Sequence, residues 1–221
     1  MSFAEGAAYN ERLMPLARGT TLPDQSSPVE VMMYELWQSM RNVDKTLADE
    51  VLDPMFDFMR AQTNKVRATN MGLGQYLKYR EDDVGQGLLS ALMRFCMHLQ
   101  LSPSESELLR QVESNCSKHL AVVNDIWSFE KERAAAKAGH REGGVLCSSV
   151  SIVAQEASVS AAAAKRTLYC LCREWEHYHM ELTSSILKEA QSPHVKAYIQ
   201  GLEYQMSGNE AWSNSTSRYN G

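Results

Sequence analysis

The chain has 221 residues, with 22 Lys plus Arg against 27 Asp plus Glu, for a formal charge of −5. That length suffices for one domain with a substantial core, and residues 1–221 are read as a single unit. The mild acidity argues against a nucleic-acid binder, which carries a basic face; no run of about 18 apolar residues marks a membrane span.

The opening MSFAEGAAYNERLM lacks the basic and apolar regions of a secretory leader. Next, RLMPLARGTTLPDQSSP (12–28) carries Pro15, Pro23 and Pro28 and reads as a loop ending in a helix start, with Ser27 as cap and proline in the first turn. From Val29 the apolar residues Met32, Met33, Leu36, Trp37 and Met40 recur at three and four, the period of an amphipathic helix. The same pattern predicts helices over 47–66, 73–99, 104–138, 161–187 and 195–212. Ser102-Pro103-Ser104 and Gln191-Ser192-Pro193 read as turns, and GHREGG (139–144) as a flexible loop. VLCSSVSIVAQEA (145–157) is rich in β-branched residues but fits a short helix in a chain with almost no strand signal. The expected fold is an all-α bundle.

Five scattered cysteines, Cys96, Cys116, Cys147, Cys170 and Cys172, are too few and odd in number for a disulfide framework. They predict free thiols in a reducing compartment, hence a cytoplasmic protein. Cys170 and Cys172, like His177 and His179, stand two apart on a helical pattern and point to different sides, against a joint metal site.

The informative stretch is VVNDIWSFEKE (122–132). Asn124, Ser128 and Glu132 stand at i, i+4 and i+8 and share one helix face. The side chains lengthen from Asn to Glu, so these oxygens can converge on one cation across about 12 Å of helix. Oxygen-only ligation with little protein charge suits Mg²⁺, which completes its octahedron with waters and substrate phosphates. By spacing alone the same residues also describe a solvated polar stripe. Ile126, Trp127 and Phe129 interleave with them, which points to a helix packed all round, where a polar line needs partners inside the protein.

Arg80 and Asp83 lie in YLKYREDDVGQG, with Gly85 and Gly87 just beyond. An arginine beside helix-loosening glycines can grip a phosphate and shift as it does so; a surface helix with i,i+3 ion pairs fits equally. Arg218-Tyr219 closes the polar segment MSGNEAWSNSTSRY, which reads either as a pair of phosphate donors or as a frayed tail.

Together these motifs resemble class I terpene cyclases of the fungal aristolochene synthase type. VVNDIWSFEKE is similar to the family's N-D-x-x-S-x-x-x-E magnesium motif, YREDDVG to its diphosphate-sensing arginine segment, and SRY to its C-terminal Arg-Tyr pair. AYNERLMPLARG, FMRAQT, MGLGQYL, NCSKHL, EGGVLC, CREWE and GLEYQMSGNEAW extend the resemblance over nearly the whole chain. The resemblance implies a Mg²⁺ site at Asn124, Ser128 and Glu132, and diphosphate held by Arg80, Lys131, Arg218 and Tyr219. Arg80, Arg218 and Tyr219 would be the catalytic donors. It implies aromatic walls at Phe58 and Trp212, a linker at Asp83 and a helix break near Gly85. The implied substrate is farnesyl diphosphate and the implied product a bicyclic sesquiterpene hydrocarbon.

One departure bears on activity. The family's aspartate-rich motif (D-D-x-x-D/E) has no counterpart, and MSFAEGAAYNERL resembles the stretch that follows it. The chain is therefore read as starting just after that motif, incomplete on the N-terminal side of the bundle, with protein ligands for one of the family's three Mg²⁺ ions. Asp82-Asp83 belongs to the sensor segment, and Asp44, Asp49, Asp53 and Asp57 are irregularly spaced and expected to face solvent. The alternative reading is an inactive remnant that binds diphosphate or a partner without turnover. Apolar faces left by the missing helices predict poor solubility or self-association, a homo-oligomer being one form the latter could take.

Overall fold

The structure, a computed structural model, describes residues 2–68, 70–138, 146–189 and 192–220. Every regular element among these residues is helical: α1 (Phe3–Arg18), α2 (Pro28–Val43), α3 (Lys45–Glu50), α4 (Leu52–Gln62), α5 (Leu73–Asp83), α6 (Gln86–Met97), α7 (Pro103–Lys137), α8 (Ser149–Glu156), α9 (Ala161–Glu189), α10 (Pro193–Ser215) and α11 (Ser217–Asn220). A 3₁₀ turn over Lys65–Ala68 follows α4. No described helix is long and apolar enough to cross a membrane.

The 35-residue α7 organises the molecule. Proline at its first turn and a Ser102–Glu105 capping box start it cleanly, satisfying its first amides. It packs against α9 on one side and α10 on another. Leu109, Val112, Cys116 and Leu120 join Ile186, Tyr198, Ile199 and Leu202 in one core cluster. Further along α7, Val122, Val123 and Phe129 join Val150, Ala164, Leu168 and Cys172 in another. A third cluster, built on Met14, Trp37, Val51, Phe56 and Ala91, holds α1–α4 and α6 together. On α10, Gly201 admits α6: a Cβ there would fall 2.0 Å from Met93 Sδ.

Three local expectations need correction. The stretch 12–28 is not all loop, because α1 runs through Pro15 to Arg18. A Ser2–Glu5 capping box starts that helix, and burial of Leu13, Met14, Leu16 and Ala17 outweighs the cost of an internal proline. The single helix expected over 47–66 is divided at Val51, between α3 and α4. The one expected over 73–99 breaks between α5 and α6 at Gly85, whose φ of +76° a residue with a side chain rarely adopts. That break lies where the resemblance implied it. Ser27 is the N-cap of α2 with Pro28 at N1, although its side chain makes no capping bond. The predicted loop at 139–144 lies outside the described residues.

The cysteine and histidine readings hold, but of the four aspartates expected to face solvent Asp44 and Asp49 are half-buried, Asp44 capping α3 by accepting from the Leu47 N–H at 3.0 Å. Cys170 is exposed and Cys172 buried, His177 is exposed and His179 buried, and the five cysteines are free thiols. Asp53 and Asp57 face solvent, while Asp49 pairs with Arg41 at 2.7 Å and Lys45 at 2.6 Å.

Candidate active site

A cavity of about 660 Å³ opens between α4, α5, α7, α10 and the C-terminal α11. Phe58, Arg80, Asp83, Asn124, Glu132, Trp212 and Arg218 line it, so three segments far apart in sequence meet at one place.

Arg80 comes from the last turn of α5 and is buried. Its guanidinium donates to Asp83 through one terminal nitrogen. The other terminal nitrogen reaches Asn124 Oδ1 at 3.4 Å and Asp125 Oδ1 at 3.5 Å. The sequence allowed a surface ion pair here; the pair exists but is buried, where it carries more electrostatic weight. Burial works against the charge on Arg80, yet the oxygens of Tyr76, Asp125 and Asp83 around it outweigh burial and raise its pKa. Asp83 is in turn clipped by α4 and α5. Gln62 Nε2 donates to its carbonyl at 2.7 Å and to its carboxylate at 3.0 Å, and the Tyr79 hydroxyl donates at 2.8 Å.

On α7, Asn124 is half-buried and donates from Nδ2 to the Tyr219 hydroxyl at 3.0 Å. Tyr219 meets Trp212 edge-to-face, with centroids 5.6 Å apart. The C-terminal Arg-Tyr pair is therefore folded onto the site as α11 and is not a frayed tail. Ser128 is buried, and its Oγ has no hydrogen-bond partner among the described residues. Glu132, one turn on, lines the cavity. Lys131 is exposed and, like Tyr219 and unlike Arg80 and Arg218, is not among the residues that line the cavity. Gly85 also stands outside it but touches its wall: a Cβ there would lie 3.0 Å from the Phe58 ring.

The structure adds residues the sequence reading passed over, and Asp125 is the chief one. It is buried, and its Oδ2 accepts from the Tyr76 hydroxyl at 2.6 Å and from the Ser149 N–H at 2.8 Å and hydroxyl at 2.6 Å. Burial pushes its carboxyl pKa up, against the pull of Arg80 and the Ser149 donors. Burial, and then Asp125, push the Tyr76 phenol well above its ordinary value, so it stays a donor. The available signal was an ionisable residue one step off the polar face, inside a run of apolar side chains. Gln205 and Asn209 on α10 also line the cavity.

Behind α7, His119, Glu176 and Glu210 place one ligand atom each within 4.8 Å of the others. Arg173 already bridges them, reaching Glu176 at 2.8 Å and Glu210 at 2.5 Å. The group is a tie between α7, α9 and α10 in which Arg173 offsets one of the two carboxylates, and it gathers NCSKHL, CREWE and GNEAW into one contact.

A hard divalent cation fits the stripe of α7. Its donors are an amide oxygen, a buried hydroxyl lacking a partner and a carboxylate, all oxygen and all on one face. Phe58, Leu89, Leu120 and Trp212 give the remaining wall an apolar lining. One cavity in the helical bundle thus gathers an oxygen-donor face of α7, a buried arginine and aromatic side chains.

The terpene synthase family 2, C-terminal metal-binding region, matches residues 2–177. The aristolochene synthase of Aspergillus terreus is 59% identical over 99% of the chain and 69% of its own length. The (+)-aristolochene synthase of Penicillium expansum is 54% identical over the whole chain and 67% of its own. The crystal structure of aristolochene synthase from Penicillium roqueforti superposes with a TM-score of 0.85 at 50% identity, covering 98% of this chain and 72% of that one. Germacradien-4-ol synthase from Streptomyces citricolor, 16% identical with a TM-score of 0.78, shares the fold over 97% of this chain and 70% of its own. The chain belongs to the aristolochene synthase family of terpene cyclases, and spans 65 to 69% of the length of the aristolochene synthases it matches.

Proposed function

We propose that the protein is a Mg²⁺-dependent sesquiterpene cyclase that ionises farnesyl diphosphate and closes the farnesyl chain to a bicyclic hydrocarbon such as aristolochene. The observation that carries this reading is that one cavity is lined both by Arg80, Asn124, Glu132 and Arg218 and by Phe58, Leu89 and Trp212. The 50–59% identity to aristolochene synthases over almost the whole chain supports the substrate class.

Cleaving an allylic diphosphate needs its leaving charge stabilised and the remaining carbocation kept from water. On this reading Asn124, Ser128 and Glu132 hold Mg²⁺, which supplies positive charge for the departing diphosphate. Arg80, Arg218 and the Tyr219 hydroxyl donate to diphosphate oxygens. Lys131, exposed on α7, would have to turn inward to join them. The Phe58 and Trp212 ring faces stabilise the cation by about 2 kcal/mol each when desolvated. Asp83 and Gly85 carry the response of Arg80 into the α5–α6 break. Residues 1–221 act as one cytoplasmic unit whose partners are farnesyl diphosphate and diphosphate. A homo-oligomer is a further expectation, which scattering at several concentrations resolves.

A second reading, diphosphate binding without turnover, is favoured by one observation: Trp212 and Tyr204 on the cavity wall are 49% and 66% exposed, so a cation there meets water. Incubation with farnesyl diphosphate and Mg²⁺, with headspace hydrocarbons read by mass spectrometry, decides between the two. Aristolochene or a related hydrocarbon is the expected result. No hydrocarbon, with a Mg²⁺- and diphosphate-dependent rise in melting temperature, would leave the second reading standing and overturn the first.

A further inference from the structure

Asn124 Oδ1, the atom that would face a metal, is engaged by Arg80 at 3.4 Å. The same guanidinium nitrogen lies 3.5 Å from Asp125 Oδ1. It is thus shared between two neighbouring acceptors of α7, and for Asn124 to ligate a cation Arg80 has to give up one of them.

Asp125 is built to receive it. Three donors, the Tyr76 hydroxyl on α5 and the Ser149 N–H and hydroxyl at the start of α8, converge on Oδ2 within 2.6–2.8 Å. They fix the carboxylate's rotation and leave Oδ1 turned to Arg80. Ser149 lies in the first turn of α8, where exposed amides favour negative charge. The carboxylate is buried and belongs to no other contact that the proposed reaction uses.

Resting on the cyclase reading of this site, we infer that Asp125 is a positioning residue: it draws the Arg80 guanidinium off Asn124 Oδ1 and so frees that oxygen for the metal. Neutralising Asp125 leaves Arg80 leaning on Asn124, which then competes with the cation.

The test is binding, not turnover. The full chain is held with excess inorganic diphosphate, Mg²⁺ is titrated, and the half-saturating Mg²⁺ concentration is read from the melting temperature. Diphosphate affinity at saturating Mg²⁺ is measured separately by calorimetry. For Asp125→Asn the half-saturating Mg²⁺ concentration rises about tenfold, the low end for loss of a group that orients a metal ligand. Diphosphate affinity at saturating Mg²⁺ stays close to that of the unmodified chain. An unchanged Mg²⁺ curve, or a loss of diphosphate affinity as large as the Mg²⁺ shift, overturns the inference, the latter because it marks general disruption. Should Asp125→Asn not fold by circular dichroism, Ser149→Ala decides: it loosens the carboxylate but keeps its charge, and a smaller shift in the same direction supports the role while no shift overturns it. An unmodified chain that ignores Mg²⁺ and diphosphate altogether overturns the site reading itself, an outcome distinct from a responsive chain whose variants behave alike.

Discussion

Ser128 carries a hydroxyl that the fold buries without giving it a partner. An unsatisfied buried polar group costs about 1–3 kcal/mol, so in the absence of a ligand this serine burdens the fold. Ser128→Ala should therefore leave the metal-free melting temperature unchanged or higher. The same variant should show a much smaller rise in melting temperature on adding Mg²⁺ with diphosphate. A variant destabilised without metal, yet responding fully to it, would remove Ser128 from the ligand set. Most of the site was legible at this scale: Asn124, Ser128 and Glu132 share a face by spacing alone, and Arg80 and Arg218 line the same cavity. Asp125 was passed over, because counting along one face skips a neighbour about 100° round the helix. Only the packing of α5 and α8 shows that this neighbour's side is interior.

The helices themselves were largely readable from apolar period, because α2, α7, α9 and α10 each bury a face against others. Their interruptions were not. Apolar spacing continues through Val51 and through the Val84–Gly85 junction, and a period has no term for a positive φ. Pro15 misled in the opposite direction, since proline reads as a breaker while the burial that outvotes it lies in distant helices. The break at Gly85 has its own test. A Cβ there meets both an unfavourable φ and the Phe58 ring at 3.0 Å. Gly85→Ala should cost about 1–3 kcal/mol of stability, measured by urea unfolding. A neutral result would show that α5 and α6 can join without this geometry.

The molecule as a whole should weaken in mild acid through the histidines behind α7. Burial lowers the His179 pKa from 6.5 to about 4, and neither ring nitrogen has a partner among the described residues. Burial also lowers that of His119, against its bond to Glu176. The fold thus holds both neutral, whereas the unfolded chain protonates freely. Stability is complete above the ordinary value near 6.5, falls as pH drops towards about 4, and levels off below. For His179 the loss approaches about 3 kcal/mol. His179→Leu should flatten this dependence and raise stability, as seen in urea midpoints compared across that range; parallel curves for the two proteins would sink the prediction.

Two core clusters claim different lengths of α7, one before the polar stripe and one around it. Unwinding the part of α7 that carries Asn124 and Ser128 would therefore disturb both cores and cost a large share of the global stability. A rigid floor of this kind stores no adaptability. Whatever opening and closing the site performs is left to its lighter pieces, the four-residue α11 and the hinge between α5 and α6. Both of these pieces still touch the stripe, since Tyr219 of α11 and Arg80 of α5 each bond to Asn124, so a shift in either is felt at that amide.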